Sequence, residues 1–173
     1  MIEEATAKQR TLEVARMLRF FVPGEPQGRV HMTAGMTKDN RPYSRPSGSP
    51  AALDAKAGWR AIVRECAARA MEEQGWVRAD RGAVELSVTF VVRPPQNYQW
   101  RGPHREPRCW HSLDRTNLLR AFEDALNGLV WWDDRQVTEG PPVKRYARPG
   151  ESPGAHVQVR ALGEWSGEIW PGR

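Results

Sequence analysis

The segment from Leu113 to Val137 places five carboxylates within 25 residues of a basic chain: Asp114, Glu123, Asp124, Asp133 and Asp134. Carboxylates that lie close together repel each other unless a cation neutralises them. Mg²⁺ binds a few carboxylates, keeps several waters and contacts phosphate oxygens, and it can activate water for phosphodiester cleavage. These residue types therefore indicate metal-assisted chemistry on a phosphodiester.

The spacing of these acids sets a geometric condition. A predicted helix of about 13 residues, spanning about 20 Å, separates Asp114 from Asp133 and Asp134, here called the acidic doublet. The two ends can converge only if the chain folds back after Gly128. The apolar residues 129–132 could return along the helix and carry the doublet towards Asp114. We expect these three aspartates to form the metal site.

Each acid also has a purely structural interpretation. An Asp at a helix start is usually an N-cap, and two Asp residues before a strand often form a turn. Glu123 and Asp124 could form a solvated helix face. Residue types and spacing alone leave the structural and the catalytic interpretations open.

The cations favour a polyanionic partner such as nucleic acid. Lys and Arg number 26 against 21 Asp and Glu, a formal net charge of +5, and arginine suits bidentate phosphate contacts. Residues 27–50 are rich in Gly, Pro and Ser, which predicts a long loop. Its basic side chains could grip a phosphate backbone or could simply be solvated; they are Arg29, Lys38, Arg41 and Arg45.

The elements that position these residues follow from the hydrophobic periodicity. Residues 51–74 and 115–127 have helical spacing, whereas Val84, Leu86, Val88, Phe90 and Val92 alternate as in a half-buried strand. Further strands are expected near 18–26, 136–146 and 155–162. The order β-α-β-α-β-β predicts one α+β domain around a single mixed sheet. Residues 1–17 are expected to be an N-terminal extension, 18–162 the domain and 163–173 a tail.

Several classes of protein are excluded. The sequence contains neither a GxGxxG after its first strand nor a GxxxxGK[ST] motif, so dinucleotide and P-loop chemistry are unsupported. It has no apolar run of membrane-spanning length, and its N-terminus lacks the apolar core of a secretory signal. We therefore expect a cytoplasmic protein without a membrane partner. The two cysteines, Cys66 and Cys109, are expected to be free thiols.

The central segment resembles the RusA family of Holliday junction resolvases. That family has D-x-D-N-L-x-K, then F-x-D-A-L, then W-x-D-D-x-Q-V and a later lysine. The matching stretches here are residues 114–120, 122–126 and 132–137, followed by Lys144. The strand and turn at residues 21–29 also look like the start of that family's domain. The likeness covers about residues 19–162 and implies the RusA-like α+β fold.

The resemblance implies a homodimeric enzyme that depends on Mg²⁺, with Mn²⁺ as an alternative. It would resolve four-way DNA junctions by paired cleavage, in DNA recombination and repair. The implied metal ligands are Asp114, Asp133, Asp134 and Thr116. The implied catalytic residues are Asp114, Asp134, Arg120 and Lys144. The implied contacts to branched double-stranded DNA are Arg29, Lys38, Arg41, Arg45, Arg120 and Lys144.

Two positions depart from the family pattern. Thr116 replaces the second aspartate of the D-x-D-N motif, and Arg120 replaces its lysine. The first change removes a negative charge from the metal site, and the second keeps the charge but alters its geometry. An inactive or weakened branched-DNA-binding protein of the same fold is therefore an alternative. An unrelated α+β interaction module, whose acids are only caps and turns, is a third interpretation.

Overall fold

Seven strands and two long helices organise the part of the chain that the computed structural model describes, residues 17–30, 32–100, 108–109 and 114–162. The helices are α1, Pro50–Gln74, and α2, Arg115–Leu126. The strands are β1, Met17–Pro23; β2, Met32–Met36; β3, Pro42–Pro46; β4, Ala83–Val92; β5, Val137–Glu139; β6, Pro142–Tyr146; and β7, Gly154–Leu162.

Five of these strands form one mixed sheet. Its hydrogen-bonded order is β1-β7-β4-β5, and β6 also pairs with β4. The pairs β1–β7 and β7–β4 are antiparallel, whereas β5 and β6 run parallel to β4. The predicted single α+β domain with a mixed sheet is therefore confirmed. Among the described residues, neither helix combines the length and the apolar composition needed to cross a bilayer.

The alternation in β4 builds the core. Val84, Leu86, Val88 and Phe90 are all buried in the main core, together with the apolar faces of both helices. Phe90 meets Phe122 of α2 edge to face, with ring centroids 5.6 Å apart. Burial of side chains of this size contributes about 1.5–3 kcal/mol each. The sheet therefore fixes the position of α2, which carries most of the candidate site.

Both helices begin at the same end of the sheet. Ser49 caps α1 by accepting a hydrogen bond from the backbone N–H of Ala52, and Gly75 ends the helix in the left-handed conformation, with φ 67°. Near the start of α1, Lys56 Nζ donates to the carbonyl of Arg29. In its last turn, Gln74 Nε2 donates to the carbonyl of Arg19 in β1. The helix therefore runs from the Arg29 end of the sheet to the end where β1 starts.

Helix α2 runs alongside α1 in the same direction. Arg64 Nη1 of α1 donates to the carbonyl of Ala125 at 2.6 Å, and Trp76, just past α1, donates to the carbonyl of Val130. Leu118, Phe122, Ala125 and Leu126 form the buried stripe, as predicted. Asn127 is the C-cap and Gly128 follows with φ 74°, which confirms the predicted helix end.

The loop predicted over residues 27–50 was partly wrong, because β2 and β3 form an antiparallel hairpin within it. Its turn is closed by two backbone hydrogen bonds: the N–H of Thr37 donates to the carbonyl of Arg41 at 2.8 Å, and the N–H of Asn40 donates to the carbonyl of Thr37. Asn40 adopts φ 60°, a conformation that Asn tolerates. The prolines in β3 made a strand there hard to predict from the sequence, because within sheets proline is largely confined to edge strands.

The strand predicted over residues 136–146 is two strands separated by Gly140 and Pro141. Gly140 has φ 123°, and a Cβ there would clash with the backbone carbonyl of Leu86. The backbone can therefore pass β4 at this point only because the residue is glycine.

Met17, expected at the end of the extension, is the first residue of β1. The predictions of an N-terminal extension over residues 1–16 and of a tail over residues 163–173 fall outside the described residues.

Glu151 holds the turn between β6 and β7. It accepts hydrogen bonds from both terminal nitrogens of Arg145 at 2.6 Å and from the backbone N–H of Arg148 at 2.8 Å. The hydrogen bonds from Arg145 are the main cause that lowers the pKa of Glu151 to about 2. Because Arg145 follows Lys144 in β6, this ion pair also steadies a predicted site strand.

This pair predicts a pH-dependent contribution to stability. The folded-state pKa of Glu151 lies below its ordinary value of 4.5, so its contribution is complete above pH 4.5 and is lost as pH falls towards 2. We expect Glu151→Gln to lower the free energy of unfolding by about 1.5 kcal/mol at pH 7. Urea unfolding from pH 7 to 2.5 should show the difference between wild type and variant shrinking with acid. A difference independent of pH would contradict this account.

Candidate active site

A cleft of about 320 Å³ opens at the N-terminus of α2. The connection from β1 to β2 forms one wall and the first turns of α2 form the other. Its lining residues are Arg29, Val30, Met32, Asp114, Thr116, Asn117 and Arg120. Four residues that the sequence assigned to the site, Arg29, Asp114, Thr116 and Arg120, therefore share one cleft.

Asp114 is the N-cap of α2, as its position predicted. Its Oδ1 accepts a hydrogen bond from the backbone N–H of Thr116 at 3.0 Å. A carboxylate offers about four lone-pair sites, so this one bond leaves capacity for another ligand. The capping interpretation is confirmed, and it leaves a role in chemistry possible for the same carboxylate.

The wall opposite α2 is held by contacts between Gly28, Arg29 and the helix. The backbone N–H of Arg29 donates to the carbonyl of Asn117 at 3.3 Å, and Arg29 Nε pairs with Asp124 Oδ2 at 3.1 Å. A Cβ on Gly28 would lie 2.6 Å from Asn117 Nδ2, so a larger residue there would require the Asn117 side chain to move. Asp124 therefore orients Arg29 at the edge of the cleft.

The acidic doublet forms a capped turn beyond the other end of α2. Asp133 caps the short 3-10 helix Asp134–Gln136 by accepting from the backbone N–H of Arg135 at 2.9 Å. That hydrogen bond is the main cause that lowers the pKa of Asp133. Gln136 Oε1 accepts from the backbone N–H groups of Trp132 and Asp133, and Nε2 donates to the carbonyls of Ala79 and Gly82. Gln136 thus fixes the turn against the start of β4.

The chain does fold back after Gly128, and this brings Asp134 close enough to Glu123 for their charges to interact. Burial raises the pKa of Glu123, the charges of Asp134 and then Asp124 raise it further, and Arg120 lowers it. Glu123 lies nine residues after Asp114, about 13 Å along the helix. The turn therefore places Asp134 beside the second half of α2, whereas the cleft lies at its first turn.

The oxygen donors suit a hard divalent ion in their chemistry but not in their placement. Asp114, Thr116 and the doublet offer oxygen ligands, which Mg²⁺ prefers. Within the described ranges, however, no three His, Cys, Asp or Glu side chains lie together closely enough to hold a metal ion. A single chain in this conformation therefore does not gather Asp114, Asp133 and Asp134 into one metal site.

The remaining predicted cations lie on two elements. Lys144 of β6 pairs in register with Phe90 and so lies on the face of the sheet that α2 covers, half-buried. The other three, Lys38, Arg41 and Arg45, are exposed on the β2–β3 hairpin. Arg45 lies over the ring of Tyr43, with its Cζ 5.7 Å from the ring centroid.

Sequence reasoning assigned no role to Gln136, Asn117 or the Arg29–Asp124 pair. These residues lie within the segments that resemble the family. A sequence motif, however, does not show whether a residue is itself a ligand or holds a ligand in position. The distinguishing information is tertiary: Gln136 bonds to residues more than 50 positions away. Asn117 packs against Gly28, which belongs to a distant segment of the chain.

Comparison with known proteins identifies one family. The family profile described as "Endodeoxyribonuclease RusA" matches residues 23–160, which is most of the chain and includes the cleft and the doublet. No curated protein matches the chain.

Proposed function

Because the chain belongs to the RusA endodeoxyribonuclease family, we propose that it resolves four-way (Holliday) DNA junctions by paired phosphodiester cleavage. The proposal includes dependence on Mg²⁺, with Mn²⁺ as a substitute, and a role in DNA recombination and repair in the cytoplasm. It also includes a homodimer, since two sites related by a two-fold axis match a two-fold branched substrate.

One observation supports this proposal above the others: the cleft at the start of α2 combines a carboxylate with two arginines. The N-terminus of a helix carries partial positive charge and favours phosphate groups. Arg29 and Arg120 line the same cleft as Asp114. A phosphodiester held by the helix end and the arginines would therefore lie next to an oxygen ligand for a metal ion.

Each residue of the proposed site would have a separate role in phosphodiester cleavage. Arg120 would hold a non-bridging phosphate oxygen or the leaving oxygen, and Lys144 would add positive charge from β6. Asp114 and Thr116 would hold the metal ion together with Asp133 and Asp134. When bound, the ion would supply Lewis-acid stabilisation and an activated water.

Binding of the metal would have to draw these ligands together, since one chain leaves the doublet at the level of Glu123. The negative electrostatic potential around Glu123 would favour binding of a cation there. Burial is the main cause that raises the pKa of Glu123, and the negative charges of Asp134 and then Asp124 raise it further. A cation between the acids would relieve that repulsion. The basic side chains Arg29, Lys38, Arg41 and Arg45 would contact the DNA arms.

The second candidate is a protein of the same fold that binds branched DNA without cutting it. Thr116 favours this candidate, because a hydroxyl stands in the cleft where the family pattern has a carboxylate. Binding would then depend on the cations and would weaken steeply with salt.

The test is incubation of the purified protein with a labelled four-way junction, in Mg²⁺ or Mn²⁺, beside a linear duplex of the same sequence. We expect symmetric nicks in the junction strands that depend on the metal and are absent from the duplex. A shifted junction band without nicks in either metal would support the binding protein. Neither binding nor nicking would support the unrelated interaction module.

A further inference from the structure

The β2–β3 hairpin, residues 32–46, is an arm with little support from the rest of the domain. Its strands pair with each other and form a sheet of their own. Every residue in the two strands is exposed except Gly35, which is half-buried. An isolated two-stranded hairpin is marginally stable in water. An arm of this kind is expected to gain order when it binds a partner.

The register divides the arm into two different faces. Ala34 pairs with Ser44, and the same face carries the two exposed methionines and two prolines, Met32, Met36, Pro42 and Pro46. Met32 and Met36 are 58% and 56% exposed. This methionine face is the more apolar side of the arm, and it lies open to solvent.

The opposite face is closed by its own side chains. Tyr43 lies across Gly35, whose Cβ would be 2.8 Å from the Tyr43 hydroxyl. Arg45 stacks beyond the same ring. Because the tyrosine is already used to cover the glycine, the methionine face is the side of the arm left for a partner.

The charge and place of the arm favour DNA as that partner. Residues 32–46 contain three cations, Lys38, Arg41 and Arg45, against the single acid Asp39. At its base, Met32 lines the cleft with Asp114, Thr116 and Arg120. A strand whose phosphate occupies this cleft would carry its neighbouring bases past Met32. Met36 lies four residues further out, about 13 Å along the strand.

We infer that the methionine face is a wedge that packs against unstacked bases at the branch point of the junction, while Lys38 and Arg41 hold the adjoining phosphates. This inference rests on the proposed function and names the part of the substrate that the arm reads. Methionine and proline are among the side chains that proteins insert between base steps. A branch point already interrupts base stacking, so opening a base pair costs less there than in a continuous duplex.

The test uses the double variant Met32→Thr/Met36→Thr in the full-length protein. Threonine removes the apolar side chains but keeps the strand preference. A four-way junction carries 2-aminopurine at one branch-point pair, and EDTA prevents cleavage. Wild type is expected to raise the fluorescence about twofold or more as the base unstacks. The double variant is expected to abolish most of this rise and to bind the junction about tenfold more weakly.

Two controls separate the wedge from other effects. Val77→Thr removes a side chain that is 59% exposed at the opposite end of the domain, and it should match wild type. Lys38→Gln/Arg41→Gln should weaken binding to junction and duplex alike, about fivefold or more at low salt. Circular dichroism should show that every variant is folded. The methionine variant should bind uninterrupted duplex within about twofold of wild type, because wedge contacts need unstacked bases.

The outcomes are distinct. A double variant with the wild-type fluorescence rise and affinity overturns the wedge. So does a variant that loses duplex and junction binding equally, since the arm would then be a general backbone clamp. Wild-type protein that nicks junctions without a fluorescence rise overturns the wedge and leaves the proposed function intact. Wild-type protein that binds no junction overturns the proposed function itself.

Discussion

Replacing Asp134 by Asn is expected to lower the rate of junction nicking at least about a hundredfold, a loss of about 2.7 kcal/mol of transition-state stabilisation. The substitution keeps the shape of the side chain but removes the charge that a divalent ion requires. The turn should survive, because it depends on hydrogen bonds of Asp133 and Gln136. Single-turnover nicking of a labelled junction in Mg²⁺ measures the rate.

The control for this prediction is Glu73→Gln, which removes one charge from an exposed position in the last turn of α1. It should nick at the wild-type rate. Junction affinity of Asp134→Asn should be equal or higher, since a carboxylate near DNA repels phosphate. A variant that nicks within about threefold of wild type would show that Asp134 takes no part in the chemistry. The metal ligands would then have to be sought around Asp114.

Replacing Thr116 by Asp is expected to restore the second carboxylate of the family pattern. It would add a charged oxygen ligand in the cleft, two residues from Asp114. We expect the Mn²⁺ concentration for half-maximal nicking to fall about tenfold, equivalent to about 1.4 kcal/mol of metal binding. The helix should tolerate the change, because an acid in its first turn interacts favourably with the helix dipole.

Thr116→Val is the matched control, since it removes the hydroxyl and nearly preserves the volume. If the hydroxyl helps to hold the metal, this variant should need more Mn²⁺ than wild type. Thermal unfolding with and without Mn²⁺ gives a second readout, because a bound ion raises the melting temperature, and a tighter-binding ion raises it more. An unchanged metal requirement in both variants would place the metal site away from position 116.

The long elements of the fold were predictable from local signals. Helix α1 begins after Ser49 and is followed by Gly75, and the burial of β4 alternates from Ala83 to Phe90, so capping and periodicity agree with the structure. The β2–β3 hairpin was not predicted, because its strands are exposed on both faces and β3 contains prolines. A sequence pattern reports burial, and this hairpin buries almost nothing.

The candidate site was predictable in its residue types but only partly in its geometry. The sequence predicts Asp114 both as a cap and as a metal ligand; the structure confirms the cap and places the residue in the cleft with Thr116 and Arg120. The helix length predicted how far the chain must fold back to bring the doublet level with Asp114. It could not predict where the doublet actually lies, because Gln136 fixes that position through hydrogen bonds to Ala79 and Gly82.

The pairing of β1 with β7 determines where the domain joins the rest of the polypeptide. Met17 lies opposite Arg160, whereas Pro23 lies opposite Gly154 about 20 Å away. The chain thus enters and leaves the sheet at one place, and the cleft at the start of α2 lies towards the other end. An affinity tag, a fluorophore or a second protein module joined before Met17 or after Leu162 would be attached on the side remote from that cleft. A short linker could also join these two points in a circular permutant.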